Sequence, residues 1–172
     1  MGATIISTSQ IRYMPKLNII FKFVVSITIP LLAGFVGSIF TFSSIANWYV
    51  YLNKPTLTPP SWIFSPVWTT LFVLMGIGLF LVWKSGWERR EVKIAMLAFG
   101  IQLVLNTLWS ILFFGAENPG LAFIDIVLLW VAILVTIGLF SKISKTAALL
   151  LVPYVFWVSF AAYLNYGIWI LN

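Results

Sequence analysis

Five long apolar stretches, separated by short polar connections, dominate this sequence of 172 residues. Each is about as long as the roughly 20 residues that an α-helix needs to cross the hydrocarbon core of a bilayer. The stretches are continuous and lack the alternation of apolar and polar residues that is typical of a membrane β-barrel. We therefore predict an all-α membrane protein. It forms a single domain over residues 1–172, with helices at about 18–46, 63–84, 93–115, 119–140 and 145–171.

The composition requires a lipid environment. Hydrophobic residues make up 62% of the chain and charged residues 8%, against about 25% charged in soluble domains. A water-soluble core could not bury that much apolar surface. The loops around residues 84–93, 116–119 and 141–145 are short, so neighbouring helices must run antiparallel and form a five-helix up-down bundle.

Basic residues are distributed unevenly over the two ends of this bundle. Nine of the ten fall in the N-terminal segment, the second loop or the fourth loop, and only Lys54 falls on the opposite side. Lysine and arginine are enriched in cytoplasmic loops, so we expect a cytoplasmic N-terminus and a C-terminus on the outer side. The nine residues are Arg12, Lys16, Lys22, Lys84, Arg89, Arg90, Lys93, Lys142 and Lys145.

The sequence contains neither cysteine nor histidine. This excludes disulfides, thiolate zinc sites and Cys or His nucleophiles, and it removes the usual histidine ligand of haem iron. We predict no metal site and no required cofactor. The net charge of +6 is not gathered into one stripe, so we interpret it as a signal of membrane orientation and expect no nucleic-acid partner.

The third predicted helix carries a polar and aromatic stripe at helical spacing, made of Gln102, Asn106, Trp109 and Phe113. Amides are costly in contact with lipid, so this stripe should face the inside of the bundle. There the amides could form interhelical hydrogen bonds worth about 1 kcal/mol. Alternatively, Asn106 and Trp109 could contact a ligand, and the pattern leaves both interpretations open.

Three other predicted helices place small residues along one face or one turn away from bulky aromatic residues. Small residues let a neighbouring backbone approach closely. A bulky aromatic residue followed one turn later by a small one makes a ledge beside a hollow. For the first helix, plain helix packing is the simpler interpretation. The residues are Pro30, Gly34, Gly37 and Thr41 in the first helix, Trp68, Phe72 and Gly76 in the second, and Pro153, Trp157, Ala161 and Asn165 in the fifth.

The connection over residues 52–68, "LNKPTLTPPSWIFSPVW", contains four prolines and two tryptophans. Prolines restrict the backbone and reduce the entropy lost when a loop packs down. Irregular backbone near the membrane is tolerated only over protein or water. We therefore expect this loop to fold onto the bundle as a lid, with Trp62 and Ile63 plugging the entrance and Tyr49 closing one side. A rigid turn at the membrane interface is the alternative.

Asp125 lies within the fourth predicted helix and has no basic residue at its depth. A buried charge there is expensive, so we expect the carboxyl group to be protonated, hydrogen-bonded or at the interface. A lone acid is too little for a proton relay or an ion path, which argues against ion-coupled transport.

Several motifs now resemble a known family. They are "GFVGSIF", "WYVYLNKPTLTPPSWIFSPVWTTL", "LNTLWSILFFG", "FIDIVLLW" and "VPYVFWVSFAAYLNYGIW", and they extend over nearly the whole chain. Their order and spacing are similar to those of the tryptophan-rich sensory protein/translocator protein family, TspO/MBR, whose eukaryotic members are also called peripheral benzodiazepine receptors.

The resemblance implies a five-helix bundle, often a homodimer, with a pocket at the end where the first loop lies. It also implies porphyrins such as protoporphyrin IX and haem, sterols or other lipids, and isoquinoline or benzodiazepine compounds as ligands. The ligand-binding residues that it implies are Tyr49, Pro59, Trp68, Phe72, Asn106, Trp109, Trp157 and Ala161. Trp68 and Trp157 match the two family tryptophans that are linked to porphyrin breakdown, and would be the catalytic residues if degradation occurs.

Two positions depart from the family pattern. Leu57 stands where many relatives carry a tryptophan, and no basic residue follows Tyr166, which breaks the sterol motif of animal members. Three functions remain open at this stage. The leading one is a membrane receptor or sensor that binds porphyrins and other lipophilic molecules, with metal-free porphyrin as the more natural ligand. The alternatives are an enzyme that degrades porphyrin with light and oxygen, and a transporter of porphyrin or lipid.

Overall fold

The structure is a computed structural model that describes residues 8–172, with side chains described from Asn18 onward. The described chain is all helical, as expected, and five helical segments are long and apolar enough to cross a membrane. Two single turns of 3₁₀-helix, Tyr49–Tyr51 and Ser61–Ile63, lie in the first connection. The helices are α1 (Thr8–Ile45), α2 (Phe64–Trp83), α3 (Arg90–Ser110), α4 (Pro119–Ser141), α5 (Lys145–Leu150) and α6 (Val152–Leu171).

Contacts between distant parts of the chain define the two ends of the bundle. The backbone N–H of Asn53, in the first connection, donates to the side chain of Asn172 at 2.9 Å. At the other end, the ammonium group of Lys22 lies 5.9 Å from the centre of the Trp83 ring. The bundle is therefore antiparallel, as predicted. We call the end that carries residues 52–60 the loop end.

Local sequence explains where α4 and α5 begin. The side chain of Asn118 accepts a hydrogen bond from the N–H of Leu121, and proline occupies the first position of α4. Ser144 caps α5 in the same way by accepting from the N–H of Ala147. Both arrangements satisfy N–H groups that the first turn of a helix otherwise leaves free.

Two of the predicted helices are less regular than expected. The fifth span is interrupted at Leu151, because Pro153 has no N–H to donate to the carbonyl of Leu149 and its ring crowds that carbonyl. The third span continues beyond α3 as a π-helical segment, Ile111–Gly115, in which the N–H of Ala116 donates to the carbonyl of Ile111 at 2.7 Å.

Glycines allow α1 and α2 to touch in the half of the bundle away from the loop end. A Cβ atom at Gly76 would lie 2.8 Å from both the Cα of Ile27 and the carbonyl oxygen of Ser26. The ring of Phe72 occupies the space beside Gly34, where a side chain would collide with it. The predicted small face of α1 therefore packs on α2 at Gly34.

The opposite half of α1 leans on α3 instead. A Cβ atom at Gly37 would lie 3.0 Å from the hydroxyl of Ser110, and the hydroxyl of Thr107 donates to the carbonyl of Ala33 at 3.4 Å. The ring of Phe40 packs against Gly115. Towards the loop end, α1 thus leaves α2 and follows α3.

Polar groups inside the bundle are few. Gln102 and Asp125 are buried, and within the described residues the Oε1 of Gln102 and the Oδ2 of Asp125 accept no hydrogen bond. Asp125 therefore faces the interior of the bundle. A charge there would be unfavourable.

Replacing Gly76 by valine should separate α1 from α2, because the new Cβ meets backbone atoms that cannot move aside. We expect Gly76→Val to lower the free energy of unfolding by about 1–3 kcal/mol, measured as reduced thermal stability in detergent. Gly138→Val is the matched control, since nothing lies within 4 Å of a Cβ at Gly138. Equal stability of the two variants would contradict this account of the contact.

The charge distribution predicts the orientation of the bundle. Leu57, in the loop, and Trp87, in the second connection, are exposed at opposite ends. A membrane-impermeant maleimide added to intact cells should label Leu57→Cys and leave Trp87→Cys unlabelled, because the basic end should be cytoplasmic. Since the chain has no cysteine of its own, each variant carries one thiol. If only Trp87→Cys were labelled, the orientation would be the opposite of the one predicted.

Candidate ligand-binding site

A cavity of about 860 Å³ lies in the loop-end half of the bundle. Its walls come from α1, α2, the end of α3 with its π-helical segment, and α6, while the first connection covers it. The volume is within the range of about 300–1,000 Å³ that is usual for small-molecule sites. Gly34 and Phe72, where α1 and α2 are in contact, also line the cavity and mark its inner boundary.

One wall is a row of aromatic rings on α2. Phe64, Trp68 and Phe72 follow one another at intervals of four residues, so they lie on the same side of the helix, and all three line the cavity. The rings of Trp68 and Phe72 are stacked, with centroids 5.7 Å apart and planes inclined by 28°. The row presents flat apolar faces to any occupant.

The opposite wall is formed where α3 changes to π-helical geometry. Trp109 and Phe113 line the cavity there, and their rings are stacked with centroids 5.1 Å apart. A π-helical turn accommodates one extra residue and is frequent at functional sites. In this chain it carries the buried ring of Phe113 to the cavity wall.

Two amide side chains, Asn106 and Asn165, are among the polar groups that line the cavity. The amide of Asn106 donates to the phenolic oxygen of Tyr154 at 3.0 Å. Asn165 accepts from the indole N–H of Trp109 at 2.9 Å and donates to the carbonyl of Pro119 at 2.8 Å. Asn106 therefore joins two helices and also lines the cavity. The interhelical hydrogen bond is confirmed, and contact of Asn106 and Trp109 with a ligand stays a prediction.

The first connection is tied down over the cavity. Asn172 also donates to the carbonyl of Asn53 at 3.0 Å, and the ring of Pro55 packs against Gly167, which is buried. Thr58 donates to the carbonyl of Pro55 at 2.8 Å. Residues of this loop line the cavity, so it roofs the site. The expected plug is wrong, however, because Trp62 is 73% exposed and neither it nor Ile63 lines the cavity.

Lys54 and Tyr49 form the charged edge of the roof, and both line the cavity. The ammonium group of Lys54 lies 4.7 Å from the centre of the Tyr49 ring and donates to the carbonyls of Val50 and Leu52, at 3.3 and 3.1 Å. An ammonium group has three N–H donors, so these two bonds leave one donor of Lys54 without a partner among the described residues. Burial raises the pKa of the Tyr49 phenol above its ordinary value, so the phenol is protonated at neutral pH.

The structure brings seven of the eight ligand-binding residues implied by the resemblance to one cavity. These are Tyr49, Pro59, Trp68, Phe72, Asn106, Trp109 and Ala161.

Trp157 is the exception. It lines a separate apolar groove between α2 and α6 on the outside of the bundle, with Pro66 and Phe156. Its ring contacts Phe64, with centroids 5.8 Å apart, and Phe64 separates it from the cavity. On α6 the residues that line the cavity are Ala161, Leu164, Asn165 and Ile168, so the lining begins one turn after Trp157.

Some wall residues were not singled out from the sequence. Phe64 lies four residues before Trp68, just as Trp68 lies four residues before Phe72. The spacing alone could therefore have predicted that Phe64 lines the cavity. Leu164 and Ile168 on α6 also line the cavity, and they follow Ala161 at three- and four-residue intervals, which is the true inward face of this helix.

Comparison with known proteins assigns the family. The sequence profile of the TspO/MBR family matches residues 26–170. The chain belongs to the TspO/MBR family. This confirms the resemblance drawn from the motifs. With its five spans, this TspO/MBR chain is a multi-pass integral membrane protein.

Relatives in this family cover most of the chain. It is 49% identical over 142 residues to the tryptophan-rich protein TspO of Chlorobaculum tepidum, covering 83% of this chain and 90% of that protein. It is 47% identical over 154 residues to the tryptophan-rich protein TspO of Archaeoglobus fulgidus, covering 89% and 98%. It is 42% identical over 142 residues to the translocator protein of Homo sapiens, covering 81% and 83%.

Replacing Asn165 by leucine should leave the indole N–H of Trp109 and the carbonyl of Pro119 without partners. We expect Asn165→Leu to lower the free energy of unfolding by about 1 kcal/mol, measured by thermal unfolding in detergent. Asn47→Leu is the control, because Asn47 is exposed in the turn after α1 and, among the described residues, its side chain donates only to the nearby carbonyl of Ser43. A loss of the same size in both variants would argue against the clamp.

Proposed function

We propose that this protein is a membrane receptor or sensor that binds porphyrins and related flat, lipophilic molecules in the cavity. The observation that carries the proposal is the pair of stacked aromatic walls, Trp68 with Phe72 and Trp109 with Phe113, around one cavity. Aromatic rings favour offset stacking or edge contacts with other π-systems, worth about 0.5–1.5 kcal/mol per pair. A broad macrocycle can make several such contacts at once.

The polar groups suit the edge of a porphyrin. Lys54 has a free N–H at the roof, where it can pair with a propionate carboxylate. The amides of Asn106 and Asn165 lie deeper and are already engaged with Tyr154, Trp109 and Pro119. Such a site would hold the apolar face of the ligand inward and its charges at the loop end.

Metal-free porphyrin fits these residues better than haem. The sequence has neither histidine nor cysteine, two of the common axial ligands of haem iron. Tyrosine ligates iron as the phenolate, and burial raises the pKa of Tyr49, which favours the neutral phenol. The iron of a haem would therefore gain little from this cavity.

Titration with protoporphyrin IX in the dark, followed by quenching of tryptophan fluorescence, tests the proposal. Trp68→Leu removes a stacking wall and should raise Kd about tenfold. Trp157→Leu is the matched control and should change Kd less than twofold, because Phe64 lies between Trp157 and the cavity. If the wild-type protein does not bind, or if Trp157→Leu weakens binding as much as Trp68→Leu, the cavity is not the site.

A second candidate is degradation of the bound porphyrin with light and oxygen. It is favoured by one observation, namely that the oxidisable indole of Trp68 lines the cavity. Illumination of the same complex in air separates the two functions. If the protein is only a receptor, the bound porphyrin should bleach as free porphyrin does. If it is an enzyme, illumination should give a distinct product, which Trp68→Phe should no longer form and Trp157→Phe should still form.

A further inference from the structure

The cavity is closed on some sides and open on one. On α6 its lining residues are Ala161, Leu164, Asn165 and Ile168, and all four are buried. The exposed residues that line it lie on α1, on α2 or at the turn before α2. They are Phe35, Phe42, Pro60, Ser61, Ser65 and Thr69. The opening therefore lies between α1 and α2 and faces sideways, towards the lipid.

The packing of α1 explains this opening. Below it, Gly34 and Gly76 hold α1 against α2. Above that contact, α1 follows α3 through Gly37. We therefore expect the two helices that border the opening to diverge towards the loop end, beyond the contact of Gly34 with the Phe72 ring.

We infer that lipophilic ligands enter and leave the cavity directly from the bilayer, through this opening between α1 and α2. The roof is the less favourable route. Opening it would break the hydrogen bonds that join Asn53 to Asn172 and would lift Pro55 from Gly167. The lateral route breaks none of these contacts.

The rim of the opening suits an amphiphilic molecule. Ser61, Ser65 and Thr69 are exposed hydroxyl residues at four-residue intervals along one edge, and Ser38 and Thr41 line the facing edge on α1. The hydroxyl of Thr69 already donates to the carbonyl of Ser65 at 2.9 Å. A hydroxyl-lined rim offers hydrogen bonds to a polar group that passes, which pure hydrocarbon does not.

The chain provides a matched pair of positions for the test. Thr69 and Thr70 are adjacent and exposed, and each donates to the carbonyl four residues earlier, at 2.9 and 2.8 Å. Thr69 lines the cavity opening, whereas Thr70 lines the groove that also contains Trp157. A tryptophan at position 69 should obstruct the opening, and one at position 70 should not.

The first readout needs no ligand. Ala161→Cys places the only thiol of the chain in the cavity wall. In proteoliposomes, N-phenylmaleimide, which partitions into the bilayer, should label this thiol at least tenfold more slowly when Thr69→Trp is added. Adding Thr70→Trp should change the rate less than twofold. Ser65→Trp, on the same rim, is the second obstructing variant if Thr69→Trp fails to fold.

A charged, membrane-impermeant maleimide tests the roof route. We expect it to label Ala161→Cys slowly in all these variants. Rapid labelling by the charged reagent, unaffected by Thr69→Trp, would overturn the inference in favour of the roof. Equal N-phenylmaleimide rates in Thr69→Trp and Thr70→Trp would overturn it as well.

For porphyrins the inference rests on the proposed function. The association rate of protoporphyrin IX should fall at least tenfold in Thr69→Trp and remain within twofold in Thr70→Trp. If the thiol results hold but the wild-type protein binds no porphyrin, the proposed function fails and the lateral opening stands. If porphyrin binds at the same rate in both variants, the proposed function stands and the route is wrong.

Discussion

The close contact of α1 with α2 at Gly76 and Gly34 is the constraint on which the rest of this structure depends. Membrane helices gain little from hydrophobic burial against each other, so their association relies on close packing of small residues and on hydrogen bonds. Here the small residues hold α1 against α2 in one half of the bundle only. In the other half α1 turns to α3, and the space that it leaves becomes the cavity. The position of the cavity thus follows from the positions of the glycines in the interface between α1 and α2.

A second constraint is that polar groups must find partners where water is scarce. The amides on α3 and α6 meet this requirement by bonding across helices, Asn106 to Tyr154 and Asn165 to Trp109. The second of these bonds fixes the ring of Trp109, which lines the cavity. Because Asn165 also holds the carbonyl of Pro119 at the start of α4, the geometry of the site is coupled to the packing of a helix that does not line it.

Continuous apolar runs and short polar loops were enough to predict the five spans and their antiparallel order, because the bilayer imposes both. The inward stripe of α3 was also predictable, because an amide such as Gln102 is unfavourable in contact with lipid and is therefore placed inside the bundle. The break at Leu151 was readable in principle from Pro153. The π-helical segment Ile111–Gly115 was not, because the extra residue is tolerated for tertiary reasons that no local pattern encodes.

Side-chain direction was the weakest part of the sequence reasoning. Trp62 was expected to plug the roof, yet it points away from the cavity, because the 3₁₀ turn Ser61–Ile63 sets its direction and composition does not. A four-residue rule places Trp157 beside Ala161, whereas the buried face of α6 runs through Tyr154, Val158 and Ala161. The rule works on α2, where Phe64, Trp68 and Phe72 all line the cavity, and fails on α6, where the lining residues begin only at Ala161.

Trp68 and Trp157, which the family resemblance links to porphyrin breakdown, consequently have different surroundings. This difference matters for any photochemistry. Trp68 lines the cavity, and its ring lies 6.3 Å from that of the buried Tyr154. Trp157 contacts Phe64 and borders a groove on the outside of the bundle, and its buried indole N–H has no partner among the described residues. Electron transfer from Trp157 to a ligand would have to pass the Phe64 ring, while Trp68 can touch the ligand directly. A light reaction in this cavity would therefore depend on the indole in α2 far more than on the one in α6.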